Sequence, residues 1–167
     1  MKAPVITRFE TAANQLIQQL STLTEAQLNT VPFEGSWTAG QLGDHLYKSY
    51  DIISVLNGKV TDTDRDPAEK LPDIEVQFMD FSIKMESPDF ILPTDKPINK
   101  DQFLTQLKQR VADLLETIEG KDLSKTCLDF EVPTVGPFTR HEWFGFAAIH
   151  TERHLHQLGK IKSALNE

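Results

Sequence analysis

Apolar side chains return at steps of three and four residues in four separate stretches of this chain, and nothing else in the sequence narrows its fold as much. Phe9, Ala13, Leu16, Leu20 and Leu23 alternate steps of four and three, which sets them on one face of a helix. Thr7-Arg8-Phe9-Glu10 ahead of them has the T-x-x-E form of a capping box. A second helix is expected from about Thr38 to Leu56. Thr38-Ala39-Gly40-Gln41 supplies a hydroxyl and an amide at cap spacing, Leu42, Leu46, Ile53 and Leu56 form the stripe, and Asn57-Gly58 ends it. A third opens at Asn99, carries Phe103, Leu107, Val111, Leu114 and Ile118 on one face and closes at Gly120. The last begins at Thr139-Arg140-His141-Glu142, again T-x-x-E, and runs to about Leu165. Four long helices without sustained strand alternation predict an all-α fold, an antiparallel four-helix bundle with one long crossover at residues 57–98. Prolines at 67, 72, 88, 93 and 97 mark that crossover as connection, with a short helix expected inside IEVQFMDFSIKM, residues 74–85.

The size of the chain, 167 residues, suits one domain over 1–167 with a core of its own. A formal charge of -8 argues against nucleic acid as a partner, because tracking phosphates needs clustered Lys and Arg. Cys127 is the only cysteine, so no internal disulfide can form and a reducing compartment is expected. The amino-terminal stretch MKAPVITRFETAANQL does not read as a signal peptide, and no run approaches the roughly 18 apolar residues of a membrane span. No membrane partner is expected, and the expected location is cytoplasmic.

Three of the five histidines fall within seven positions of the last helix, and helical phase separates them. The stripe Trp143, Ala147, His150, His154, Leu158, Ile161 and Leu165 includes two of them. At about 100° per residue, His150 and His154 lie roughly 40° apart around the axis and one turn apart along it. His156 is turned roughly 200° from His154, onto the solvated face. His45, three residues after Leu42, sits at the margin of the second helix's stripe and also points inward. His141 lies in the first turn, off the stripe. Three inward imidazoles from two helices allow two readings. Each is hydrogen-bonded within the core, or all three share one divalent ion with a coordination position left open. Burying an unsatisfied ring nitrogen costs about 1–3 kcal/mol, and one ion satisfies three at once.

Other chemistries find less support. The H-E-x-x-H signature would need Glu where this chain has Thr151, and Glu152 is turned away from the two histidines. No G-x-S-x-G, phosphate loop or dinucleotide fingerprint appears. Cys127 reads as a packed thiol rather than a nucleophile. Arg153 is a candidate contact for a cofactor carboxylate, with a surface cation the equal alternative. Tyr47 and Tyr50 fit either the mouth of a site or plain packing.

The stretch SWTAGQLGDHLYKS, the loop GPFTRHEW and the run HTERHLHQL together resemble the DinB-like superfamily, which includes YfiT-like metal-dependent hydrolases and bacillithiol S-transferases. The resemblance covers most of the chain. Trp37-Thr38 matches the W-[ST] pair that opens the family's second helix, and Arg153 to Leu158 matches its R-H-x-x-Q-[LI] tail. It implies that His45, His150 and His154 bind a divalent metal, zinc or nickel first among them, and that a homodimer forms. One departure is Gln41, where many members carry Glu. Either residue completes the cap, but a charge near the metal ligands is then missing. Members differ in activity, from thiol transfer to a mycothiol-dependent isomerase. The leading expectation is an enzyme whose metal activates a low-molecular-weight thiol against an electrophilic small-molecule substrate. A hydrolase activating water is the second, and a stress-associated binding or scaffold protein without catalysis is the third.

Overall fold

In a computed structural model that describes residues 2–166, the chain is mostly helical, with only one two-residue strand pair. The helices are α1 (Pro4–Ser21), α2 (Glu25–Leu28), α3 (Ala39–Ser49), α4 (Ile53–Leu56), α5 (Leu71–Phe78), α6 (Lys100–Ile118) and α7 (Arg140–Leu165), with a 3-10 turn at Asp89–Ile91. The longest packing runs between α1 and α7, while α6 packs on α1 and α4, and α3 packs on α7 and α1. Between them lie Phe9, Leu16, Leu20, Leu42, Leu46, Leu107, Leu114, Phe144 and Leu158, all fully buried.

The caps hold these elements where the sequence pattern puts them, with one exception. Thr38 with Gln41 and Thr139 with Glu142 form complete capping boxes, and the Asn99 side chain accepts from the Gln102 amide at 2.9 Å. Gly120, just past α6, has φ +73°, a conformation that suits a residue without Cβ. The exception is α1, which starts at Pro4 rather than at the Thr7 box. Proline at the first helical position lacks an N–H that would have no partner there, so the earlier start costs little.

Three further differences have local causes. The helix expected over 38–56 is interrupted at Tyr50–Ile52, dividing it into α3 and α4. The break leaves Tyr50 fully buried, with its hydroxyl hydrogen-bonded to Thr151 of α7. The helix expected within 74–85 is instead Leu71–Phe78, with Pro72 in its first turn, where proline is tolerated. Finally, β1 (Val60–Thr61) pairs antiparallel with β2 (Thr126–Cys127), Val60 opposite Cys127. Two residues per strand are too few to show alternation.

The crossover is fastened at three places. At its start, Arg65 makes a two-pronged ion pair with Glu142 at 2.7 and 2.8 Å, and the Lys70 amide donates to the same carboxylate at 2.9 Å. Burial opposes ionisation of Glu142, but Arg65 and the Thr139 and Lys70 amides outweigh it and hold its carboxyl below the ordinary range. In the middle, α5 lies against α7. A Cβ at Gly145 would come within 2.3 Å of Leu71 Cδ1, so any larger residue there would have to push the Leu71 side chain aside. Arg8 of α1 joins Glu75 of α5 to Glu152 of α7. At its end, residues 91–94 lie along α3 and are held by one face of that helix. Lys48 Nζ donates to the Leu92 carbonyl at 2.8 Å, the Thr94 amide donates to Asp44 at 2.8 Å, and Gln41 Nε2 donates to the Thr94 carbonyl at 3.1 Å. Among the described residues no helix is long and apolar enough to cross a membrane.

Candidate metal centre

His45 on α3 and His150 and His154 on α7 converge, and all three are buried. The one-turn spacing on α7 brings the two rings onto the same face, as helical phase requires. His45 Nε2 lies 3.0 Å from His150 Nε2, and His154 Nε2 lies 3.1 Å from the same atom. The ligand-capable nitrogens of the three rings all lie within 4.8 Å of one another. A tetrahedral zinc with nitrogens at about 2.0–2.1 Å has nitrogen–nitrogen edges of about 3.3 Å, so the triad is close to the size of a metal face.

The outer ring nitrogens decide what the inner ones can do. His45 Nδ1–H donates to the Ile91 carbonyl at 2.9 Å, at the end of the 3-10 turn. His154 Nδ1–H donates to Gln157 Oε1 at 2.8 Å. In a neutral imidazole the other nitrogen then carries only a lone pair, so two Nε2 lone pairs face the centre. His150 Nε2 can give a hydrogen to one of them at most. Its own Nδ1 is buried without a hydrogen-bond partner among the described residues. A divalent cation accepts all three Nε2 lone pairs and leaves the hydrogen of His150 on Nδ1, so the donor set fits a metal.

Electrostatics agree with that reading. Burial lowers the pKa of His45 against the opposing pull of the Ile91 carbonyl. Burial lowers His150 far below its ordinary value, with His154 and His45 adding to the effect. Burial and the neighbouring His45 lower His154 to about 3, against the opposing bond to Gln157. All three rings are therefore neutral near pH 7, the form that binds metals.

Aromatic rings wall the centre. Trp37 packs on His45 with centroids 4.9 Å apart and stacks on His154 at 6.1 Å. Phe146 stacks on His150 at 5.7 Å, and Phe78 of α5 meets the same ring edge-on at 6.0 Å. The nearby carboxylates are engaged elsewhere. Asp44 pairs with Lys48 and the Thr94 amide, Glu152 with Arg8, and Glu142 with Arg65.

The other candidates fall outside this constellation. Both terminal nitrogens of Arg153 donate to backbone carbonyls, Phe78 at 2.8 Å, Asp80 at 3.2 Å and Ile83 at 2.5 Å, which ties down the chain leaving α5. His156 is exposed, as its phase requires, and stacks on Phe81 at 3.7 Å. Tyr50 is buried against Thr151, and Tyr47 lies under the Arg110 guanidinium at 3.8 Å. Cys127 is fully buried in β2, and burial pushes its thiol pKa up, in keeping with a packed thiol. Sequence reasoning missed the partners of the ligands. Gln157, three residues after His154, had a helical i,i+3 signal that could have revealed it, whereas the Ile91 carbonyl had none.

Comparison with known proteins bears on the chain as a whole. A protein of Bacillus cereus (strain AH820) described as "Putative metal-dependent hydrolase" is 29% identical over 161 residues, spanning 96% of this chain and 85% of its own. Proteins of Bacillus anthracis (strain A0248) and Bacillus mycoides (strain KBAB4), described in the same words, match with the same identity and coverage. No solved structure gives a significant match. The model of the DinB superfamily matches residues 8–158, from early in α1 to beyond His154, and the chain belongs to that superfamily.

Proposed function

We propose that this protein is a divalent-metal-dependent enzyme in which His45, His150 and His154 hold zinc or nickel, and that it activates a low-molecular-weight thiol for attack on an electrophilic small molecule. The single observation that carries the metal is the pair of lone pairs turned onto the centre by the outer bonds of His45 and His154. A metal held there would supply Lewis acidity, lowering the pKa of a thiol or water that reaches it toward neutrality. The protein's own part is to hold three neutral imidazoles in place, to surround them with Trp37, Phe78 and Phe146, and to keep bulk water from the reacting atoms.

A specific observation favours thiol transfer over hydrolysis. The carboxylates of Asp44, Glu142 and Glu152 are each committed to a cation or amide, so none of them stands ready as a general base. A thiol needs little help, since its proton already leaves near pH 8.5 before any metal lowers that value. Hydrolysis is the second reading, and the descriptions of the Bacillus relatives support it. The scaffold on this reading is an antiparallel four-helix bundle of α1, α3 with α4, α6 and α7, supported by their mutual packing. We further propose one domain, a homodimer and a cytoplasmic location.

Metal analysis of the purified protein beside His45→Ala and His150→Ala tests the centre. The wild type should carry close to one ion per chain and each variant a small fraction of that. Thiol consumption with a simple electrophile tests the chemistry: it should require the metal and disappear in both variants. Metal-bearing protein that consumes no thiol but cleaves an ester would favour hydrolysis, and metal-free wild type would sink both readings and leave the scaffold role.

A further inference from the structure

On the outer side of His154 a cleft of about 150 Å³ opens between Phe81, Arg153, His156, Gln157 and Lys160. It borders the histidine centre through one side chain, since Gln157 both lines the cleft and accepts from His154 Nδ1. Its polar groups are nearly all donors. Arg153 and Lys160 bring two formal positive charges into a chain whose formal charge is -8. Among the described residues, Lys160 Nζ, Gln157 Nε2 and Arg153 Nε make no hydrogen bond to a protein acceptor, the neutral His156 ring offers one donor and one acceptor nitrogen, and Gln157 Oε1 is taken by His154. The carboxylate near Arg153, Asp80, accepts instead from the Ser82 amide at 3.1 Å and its hydroxyl at 2.5 Å. Phe81, stacked flat on His156, provides one apolar wall.

We propose that this cleft binds the carboxylate of a small molecule that reacts at the histidine centre. The identity of the reaction rests on the metalloenzyme reading above; the cleft itself does not. Arg153 supplies a fixed charge, because its terminal nitrogens are anchored to the α5 exit, Lys160 supplies a second charge from the same face of α7, and His156, held flat against Phe81, supplies a ring donor. The carboxylate belongs either to the thiol or to the electrophile, and both sources present the same charge and geometry to these donors.

Succinate, which has carboxylates but no thiol, is titrated into metal-free and zinc-loaded wild type and into Lys160→Glu, with backbone amide shifts recorded by NMR. Shifts should centre on residues 153–160, and Lys160→Glu should weaken the response about fivefold, the upper range for an exposed charge. No response in wild type, or an equal one in Lys160→Glu, overturns the proposal. N-acetylcysteine and its amide then locate the carboxylate. A preference of zinc-loaded wild type for the acid that vanishes in Lys160→Glu places it on the thiol, and succinate binding alongside the amide places it on the electrophile. Should neither thiol sense the metal, the thiol reading fails, while the succinate result still decides the cleft.

Discussion

At the scale of single residues, the centre depends on groups that touch the imidazoles as much as on the imidazoles themselves. Gln157 fixes the tautomer of His154, so Gln157→Ala should lower metal affinity about 10–100-fold, measured by competition with a chromophoric chelator. The metal-free variant should lose only about 1 kcal/mol, the worth of an ordinary hydrogen bond. Protonation provides a second check. The folded protein holds His150, His154 and His45 below their ordinary pKa, so the unfolded chain takes up protons near pH 6.5 that the folded chain refuses. Stability of the metal-free protein should therefore fall as pH drops below about 6.5, by up to about 1.4 kcal/mol per pH unit for each histidine. Urea midpoints from pH 7.5 to 5 should show this, and His150→Ala should flatten the slope. Gln41 also acquires a role here. Its oxygen closes the cap on α3 while its amide nitrogen reaches the Thr94 carbonyl, a bond that glutamate could not donate.

At the scale of elements, periodicity carried most of the fold and phase carried most of the site. His150 and His154 share a face and His156 does not, and that much follows from counting residues. What counting could not resolve is that α7 is buried on a second face as well, where Phe144, Ala148 and Thr151 pack. Two apolar stripes on one helix blur each other, because each fills positions the other would leave polar. The break between α3 and α4 was equally silent, since no proline or glycine marks it in the sequence, and its partner across the core, Thr151, lies 101 residues from Tyr50. Close packing of the elements can be tested with glycines. A Cβ at Gly40 would lie 2.8 Å from the Leu28 carbonyl oxygen, which is backbone and cannot step aside easily. Gly40→Ala should destabilise by about 1–2 kcal/mol, the overpacking penalty less the gain in helix propensity. Gly159→Ala on α7 meets nothing within 4 Å and should stabilise by about 0.5–1 kcal/mol. Denaturant melts of the pair separate crowding from propensity.

At the scale of the whole molecule, one small centre joins parts of the chain that are far apart in sequence. His45 comes from α3, His150 and His154 from α7 more than a hundred residues later, and the Ile91 carbonyl from the crossover between them. An ion bound only by the folded chain should raise global stability by about 4 kcal/mol at a free concentration a thousand times its dissociation constant. Calorimetry of loaded and chelated protein should show that difference as a higher melting temperature, and His45→Ala should abolish it. The fastening of residues 91–94 to α3 has a consequence for anyone mutating this protein at random. Gln41, Asp44, His45 and Lys48 all grip peptide groups, and peptide groups are the same whatever residue bears them. A saturation screen should find positions 91, 92 and 94 permissive and the four gripping positions intolerant, with proline at 94, which deletes the amide, the telling exception.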